Sequence, residues 1–360
     1  WKSIRGNLPF GWVNVIREDP KNSRLLYVGT EFGLFASLDR GESWFSLKNN
    51  LPTVAVHDIA IHPRDNDLII GTHGRGIWIL DDISFLQEMS PEILDRPVHI
   101  FKPRPAVAFY PSSRHESFTS PTFFAKNPPY GLALTIYFKE KPKEKPEISI
   151  INSEGETVSQ LFLPAQAGIT REYWNLQFIP KNRQGERLAP PLTVSLSLPL
   201  APPGEYTVQV KVDGQIYQEK SVIEPDPLIN YDGAADKERL EIFADLIALS
   251  RRLSQITTVV RQMRRELDDF KRRLKEKKEP LGMEKKIGEF EAKIKDLEKE
   301  VTPSLATYSI SWEQALRGGP INMLLINLAS SLAGYPGPPT QTDREQIKEI
   351  EQALSFLVKA

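Results

Sequence analysis

The sequence predicts a multidomain chain, β first and α second, on three observations: a repeat of β-branched runs near the N-terminus, evenly spaced strand-like segments in the middle, and a heptad seam in the charge-rich C-terminal third. The 360 residues are enough for two or three separate cores, at about 100–200 residues per domain.

The repeat comes first. Val13-Asn14-Val15-Ile16-Arg17-Glu18-Asp19-Pro20 leads to Leu25-Leu26-Tyr27-Val28-Gly29-Thr30 and then Gly33-Leu34-Phe35-Ala36-Ser37. The pattern returns as Val56-His57-Asp58-Ile59-Ala60-Ile61-His62-Pro63, Asp67-Leu68-Ile69-Ile70-Gly71-Thr72 and Gly76-Ile77-Trp78-Ile79-Leu80. Pro20 to Pro63 sets a period of roughly 43 residues, the length of a β-propeller blade. Two four-stranded blades over residues 1–101 are the expectation. The first carries Ser37-Leu38-Asp39-Arg40-Gly41-Glu42-Ser43-Trp44, which fits the Asp-box pattern S-x-D-x-G-x-[ST]-W at every defined position. In such a turn Asp39 accepts backbone N–H groups, Gly41 supplies a left-handed conformation and Trp44 buries its ring. Ser37, Asp39, Gly41 and Trp44 are therefore structural residues, not catalytic ones.

With Gly71-Thr72-His73-Gly74-Arg75-Gly76-Ile77-Trp78-Ile79-Leu80-Asp81-Asp82, this region resembles the last blades of the large bacterial sortilin-like BNR-repeat proteins labelled glycosyl hydrolases. Arg171-Glu172-Tyr173-Trp174-Asn175-Leu176, Pro203-Gly204-Glu205-Tyr206-Thr207-Val208 and Asp226-Pro227 resemble the β-sandwich that follows the propeller in that family. The resemblance spans most of residues 1–227 and only loosely the helical remainder. It implies a periplasmic or secreted protein and a propeller whose other blades lie upstream, since a propeller closes with about four to eight. Trp1 and Asn7-Leu8-Pro9 parallel Trp44 and Asn50-Leu51-Pro52, so the chain reads as beginning inside an Asp-box.

If the Asp-box joins strands three and four, the Phe10-Gly11-Trp12, Glu31-Phe32, Leu51-Pro52-Thr53 and His73-Gly74-Arg75 links share the opposite face. In sialidase-like relatives that face binds sugars, so Trp12, Glu31, His73 and Arg75 are the candidate ligand-facing residues. No catalytic set can be assembled. Asp81 and Asp82 are adjacent, and adjacent strand residues point to opposite sides, so they do not flank one sugar bond. His57, His62 and His73 lack the spacing of a metal site, and Gly74-Arg75-Gly76 has neither the Lys nor the following helix of a phosphate loop. Neither a metal nor a cofactor is expected.

A Pro- and aromatic-rich connector is read over 102–130, then a fibronectin- or immunoglobulin-like sandwich over 131–227. Its expected strands are 132–138, 147–151, 157–162, 171–178, 206–212 and 216–223, with Trp174 and Tyr206 in the core. Residues 234–360 form the expected helical module. Ile242, Leu246, Leu249, Leu253, Ile256, Val260, Met263, Leu267, Phe270 and Leu274 alternate spacings of four and three, and Met283, Ile287, Phe290, Ile294, Leu297 and Val301 resume the pattern after Pro280-Leu281-Gly282. This predicts an antiparallel coiled-coil hairpin over about 242–301, with a basic tip at Lys271–Lys278 and further helices at 311–317, 321–333 and 343–358.

Lys+Arg 46 against Asp+Glu 47 leaves a net charge of -1, which offers no global field for nucleic acid or an anionic membrane. No cysteine is present, so disulfides, thiolate metal sites and cysteine nucleophiles are excluded. The opening Trp1-Lys2-Ser3-Ile4 lacks the basic and apolar regions of a signal peptide, and the longest apolar run, 321–329, is too short to span a bilayer. The expectation is an accessory C-terminal region of a BNR-repeat propeller protein that binds a glycan or protein ligand, with assembly through the coiled coil. This region alone is not expected to be an enzyme. One rival is part of a sialidase- or xyloglucanase-like glycoside hydrolase whose carboxylates lie mainly in the missing blades; another is a receptor-like sorting or scaffold module.

Overall fold

The computed structural model describes residues 1–109, 126–194, 196–277, 282–301 and 321–359. The chain is mixed β and α, with several sheets and, among the described residues, six helices. Its described residues divide into two compact units, one drawn from 1–105, 122–175 and 205–222, the other from 106–121, 176–204 and 223–360. The expected helix at 311–317 and most of the 102–130 connector lie outside the described residues.

The first unit opens with an antiparallel meander of four strands in sequence order: β1 (Val13–Glu18), β2 (Leu26–Thr30), β3 (Gly33–Ser37) and β4 (Phe45–Ser46). A second meander follows, β5 (Val56–Ile61), β6 (Leu68–Thr72) and β7 (Ile77–Leu80), with three strands where the repeat predicts four. The reason lies at Asp82, which takes a left-handed φ of 47° and whose carboxylate accepts the Ser84 N–H at 3.1 Å. That turn starts the short helix α1 (Ser84–Glu88), whose Leu86 is buried beside Ile83. Burying this apolar pair in the meander core takes the place of a fourth strand.

β5 lies against β1 in the same direction: Asn14 Nδ2 donates to the Val56 carbonyl at 3.1 Å, and Arg17 Nε to the Ile59 carbonyl at 2.9 Å. Between the meanders Val15, Leu25, Tyr27, Leu34, Val56, Ile59, Leu68 and Ile70 form one apolar cluster, because alternate strand residues turn to the same side. A polar network closes the turn end of this cluster. Gln87 and Asn66 exchange side-chain amide bonds at 2.7 and 2.9 Å, and Gln87 also donates to the buried Asp19 carboxylate.

After α2 (Pro91–Asp95), capped by Ser90 and started by Pro91, comes β8 (Val98–Ile100). β8 pairs with β10 (Leu132–Phe138), which pairs with β13 (Gly168–Trp174), in the order β13-β10-β8. β11 (Glu147–Ile151) pairs with β12 (Thr157–Phe162) and with β14 (Gly204–Val212), and β14 is followed by β15 (Gln215–Pro225). Trp174 and Tyr206 are both buried, with rings 5.6 Å apart at 64°. β13 ends earlier than the predicted 178, since Leu176 takes a φ of 59° that breaks the pleat. Arg171 locks β13 to the end of the second meander by donating to the Asp81 and Asp82 carbonyls, both at 2.8 Å.

In the second unit, β9 (Ala106–Ala108) pairs in parallel with Ile223–Pro225 at the end of β15. Four helices follow: α3 (Gly233–Lys277), α4 (Glu284–Val301), α5 (Ile321–Ala333) and α6 (Gln341–Lys359). Val194 and Leu196, inside the range read as sandwich, are buried instead with Phe243, Leu246, Leu253, Ile294, Leu325 and Leu354. α3 and α4 run antiparallel: Arg264 grips the Glu298 carboxylate through Nε at 3.1 Å and Nη2 at 2.7 Å, while Lys271, farther along α3, meets Glu291, farther back on α4, at 2.8 Å. Of the heptad positions, Val260, Leu267 and Ile294 are buried, whereas Met263, Phe270 and Phe290 face solvent. Along the first half of α3 both sides of the seam are buried, Ile242 and Leu249 as well as Leu246 and Leu253, whereas beyond Val260 one side is packed and the other is not.

Candidate functional site

The turn over residues 37–44 is built as its residues require. Asp39 accepts the Ser37 hydroxyl at 2.7 Å, the Ser43 N–H at 2.9 Å and the Ser43 hydroxyl at 2.5 Å, while the Ser37 hydroxyl accepts the Gly41 N–H at 2.8 Å. Burial pushes the Asp39 carboxyl up, but the hydrogen bonds from Ser43, Ser37 and the Glu42 backbone outweigh it and hold the group below the usual carboxylate range. Gly41 sits at φ 88°, where a Cβ would lie 2.8 Å from the Ile4 Cβ, so a side chain is excluded on both counts. Trp44 is buried with Leu8, Leu26 and Val28; its indole donates to the Ile4 carbonyl at 2.9 Å, and its backbone pairs with the Asn7 side chain. These four residues hold the turn, and the hydrogen bonds of their side chains stay within it or reach residues 1–9.

The other end of the two meanders carries the ligand-facing candidates. Because β1 and β5 run in the same direction, the start of each and the end of its neighbour, β2 or β6, fall at one end. Trp12 and Glu31 are joined there through the Glu31 N–H and the Trp12 carbonyl at 3.3 Å. The Phe32 ring packs over Gly11, which sits at φ 153° and where a Cβ would come within 2.7 Å of Phe32 Cε2, so backbone and contact both favour glycine. Trp12 is 74% exposed, Phe10 86% and Phe32 50%, and the Arg5 guanidinium lies 5.5 Å from the Phe10 ring centre. His73 and Arg75 form a second pair, in the β6–β7 turn, and both are exposed. The His73 N–H donates to the Ala55 carbonyl at 2.9 Å, and the Arg75 carbonyl accepts the Trp78 indole at 3.1 Å.

Two contributions were not singled out from the sequence. Phe10 and Phe32 enlarge the aromatic surface, and their signal was present, since both lie in the very links predicted to share this end. His57 is the other: its ring stacks on His73 with centroids 5.2 Å apart and planes at 26°. No sequence spacing reveals this, because it depends on a bulge in β5 that re-aims His57.

The Asp81-Asp82 step does not gather a reactive pair. The Asp82 carboxylate is occupied by Ser84, while the Asp81 carboxyl is pushed above its usual range by burial and by the neighbouring Asp67 and Asp82 charges, against the pull of Arg171. Among the described residues no group of three or more His, Cys, Asp or Glu is placed to hold a metal ion, and no helix is long and apolar enough to cross a membrane.

No family model matches the chain, and no curated protein matches it. Among solved structures it is similar to the extracellular domain of a chain assigned as a hybrid two component system from B. thetaiotaomicron, at 14% identity and a TM-score of 0.18, over 62% of this chain and 27% of that one. It is also similar to the BSP domain of a biofilm associated protein, at 13% identity and a TM-score of 0.18, over 58% of this chain and 30% of that one. This chain thus spans less than a third of the length of either. Superposition at that level assigns neither a fold nor an activity.

Proposed function

We propose that this chain is the C-terminal accessory region of an Asp-box propeller protein and that the end of the meanders carrying Trp12, Glu31, His73 and Arg75 binds a glycan. In this reading the two meanders are blades, β10–β15 form the sandwich, and the α3–α4 pair is the coiled-coil hairpin through which the protein assembles. The carrying observation is the exposed aromatic group Phe10, Trp12 and Phe32 with Glu31 bonded into it. Aromatic faces stack against the C–H faces of sugars, while a carboxylate and a guanidinium bond to hydroxyls; sites of this kind combine apolar surface with a few fixed polar groups. A large apolar surface that folding leaves uncovered marks an interaction site more often than chance.

The hydrolase reading rests on Glu31, the one carboxylate among these residues. Glycoside hydrolysis needs a second carboxyl roughly 5–9.5 Å away, which in that reading is supplied from outside this chain. Glycan-binding and glycan-hydrolysis screens on the chain, with Glu31→Gln and Arg75→Ala alongside, test both. Binding without turnover, weakened by either substitution, is the expected result. If neither binding nor turnover is found, both carbohydrate readings fall and a protein-binding scaffold remains.

A further inference from the structure

We propose that His57 and His73 together form a binding site for one divalent transition-metal ion of the Ni²⁺, Cu²⁺ or Zn²⁺ class, with water or an incoming ligand filling the other coordination positions. The inference does not rest on the glycan reading. It starts from the bulge: in β5 the pairing passes from Val56↔Thr72 to Asp58↔Gly71, so His57 is the extra residue. β1 carries the same irregularity between Val13 and Val15, which makes Asn14 the extra residue there. Asn14 spends its side chain on the Val56 carbonyl of the adjoining sheet. His57 is turned out by the same device, and its ring meets His73.

The ring spacing suits a shared ion once each of the stacked rings, whose planes lie at 26°, turns a nitrogen toward it. At the usual metal–nitrogen distance of about 2.0–2.1 Å, two imidazoles bound in adjacent positions have ring centres on the order of 5 Å apart, against the 5.2 Å found here. Imidazole nitrogens favour zinc, copper and nickel over magnesium or calcium. Both backbones are fixed, His57 by its place in β5 and His73 by its N–H bond to Ala55, with the turn beyond closed by Thr72 Oγ1 to the Gly76 carbonyl at 2.6 Å. Chelation therefore needs only side-chain rotation. Both rings are exposed, so an ion reaches them from solvent. Asp58 does not complete the set, because its carboxylate is held by Arg17 at 3.0 Å and by the Ile59 N–H at 2.9 Å. That pairing also offsets the Arg17 charge beside the site. With two protein ligands the site is open and weaker than a closed structural zinc site.

The test is isothermal titration of the chain with NiCl₂ and with ZnCl₂ at about pH 7.5. The expected result is one saturable site whose affinity falls at least about tenfold in His57→Gln and in His73→Gln and is retained in His62→Gln. Both positions are exposed, and thermal melts of the variants should match the unsubstituted chain. No saturable binding of either ion, or binding unchanged in the double variant, overturns the proposal and leaves the two rings as a simple stacked pair.

Discussion

Replacing Arg171 by Met keeps the aliphatic stem and removes a guanidinium that joins β13 to the end of the second meander. Three hydrogen bonds go with it: to the Asp81 and Asp82 carbonyls at 2.8 Å each and to Thr135 Oγ1 at 3.0 Å. So does a cation–π contact 5.1 Å from the Phe85 ring centre. Bonds from a charged donor contribute about 1.5–3 kcal/mol each, and an exposed cation–π pair about 0.5–1 kcal/mol. The full sum overstates the loss, because Asp81 and Asp82 are half-buried and water can replace the donor there, whereas Thr135 is buried. Bonds made by one group are also not additive. A net loss of about 3 kcal/mol follows, or about 6–12 °C in Tm for a unit of 150–250 residues. Scanning calorimetry reads it directly, and Arg171→Lys should recover part of the loss through one of the three acceptors. A shift below about 2 °C for Arg171→Met would refute the view that this residue ties the two parts together.

Asp81→Asn should stabilise the chain near neutral pH. The fold holds the Asp81 proton more tightly than the unfolded chain does, so the ionised group costs stability above its raised pKa, and that cost vanishes below the unfolded value of about 3.9; melts across that range should show the gain fading with acid. Asp39 has the opposite sign. Its lowered pKa gives a contribution present above about pH 3.9 and lost as pH falls through the folded value, so Asp39→Asn should cost about 1–2 kcal/mol at neutral pH and less in acid, measured by denaturant titration. In the helical pair, Leu267→Ala should cost about 2–5 kcal/mol and Phe270→Ala under about 1 kcal/mol, since only Leu267 is buried; equal costs in chemical unfolding would mean the packed side of α3 has been misjudged.

Much of the local structure was legible where one signal dominated. β10, β11 and β12 fall at their expected residues because short runs rich in β-branched and apolar residues are bounded by turns such as Asn152–Gly155, whose bonds the structure contains. The bonds of the turn over residues 37–44 follow from residue types alone. α1 and α2, five residues each, were not read, because one turn of helix is too short to show a period. β8 and β9, of three residues, are defined by their partners and not by their own pattern. Spacing marked Met263 and Phe270 as seam residues just as it marked Val260 and Leu267, but which side of a broad apolar stripe is covered depends on where α4 settles. Val194 and Leu196 pack with helices remote in sequence for the same reason. The meeting of His57 with His73 turns on one extra residue in a strand, which no composition or period records.

The central claim is that the exposed end around Trp12 and Glu31 binds a glycan, and the most direct measurement is glycan-array binding of the chain beside its Trp12→Ala and Glu31→Gln variants. The account predicts binding that falls at least about tenfold in Trp12→Ala, equivalent to about 1.4 kcal/mol, and that weakens in Glu31→Gln, with melting temperatures unchanged because both side chains are exposed. Binding that survives both substitutions, or an array on which the unsubstituted chain binds nothing, would contradict it.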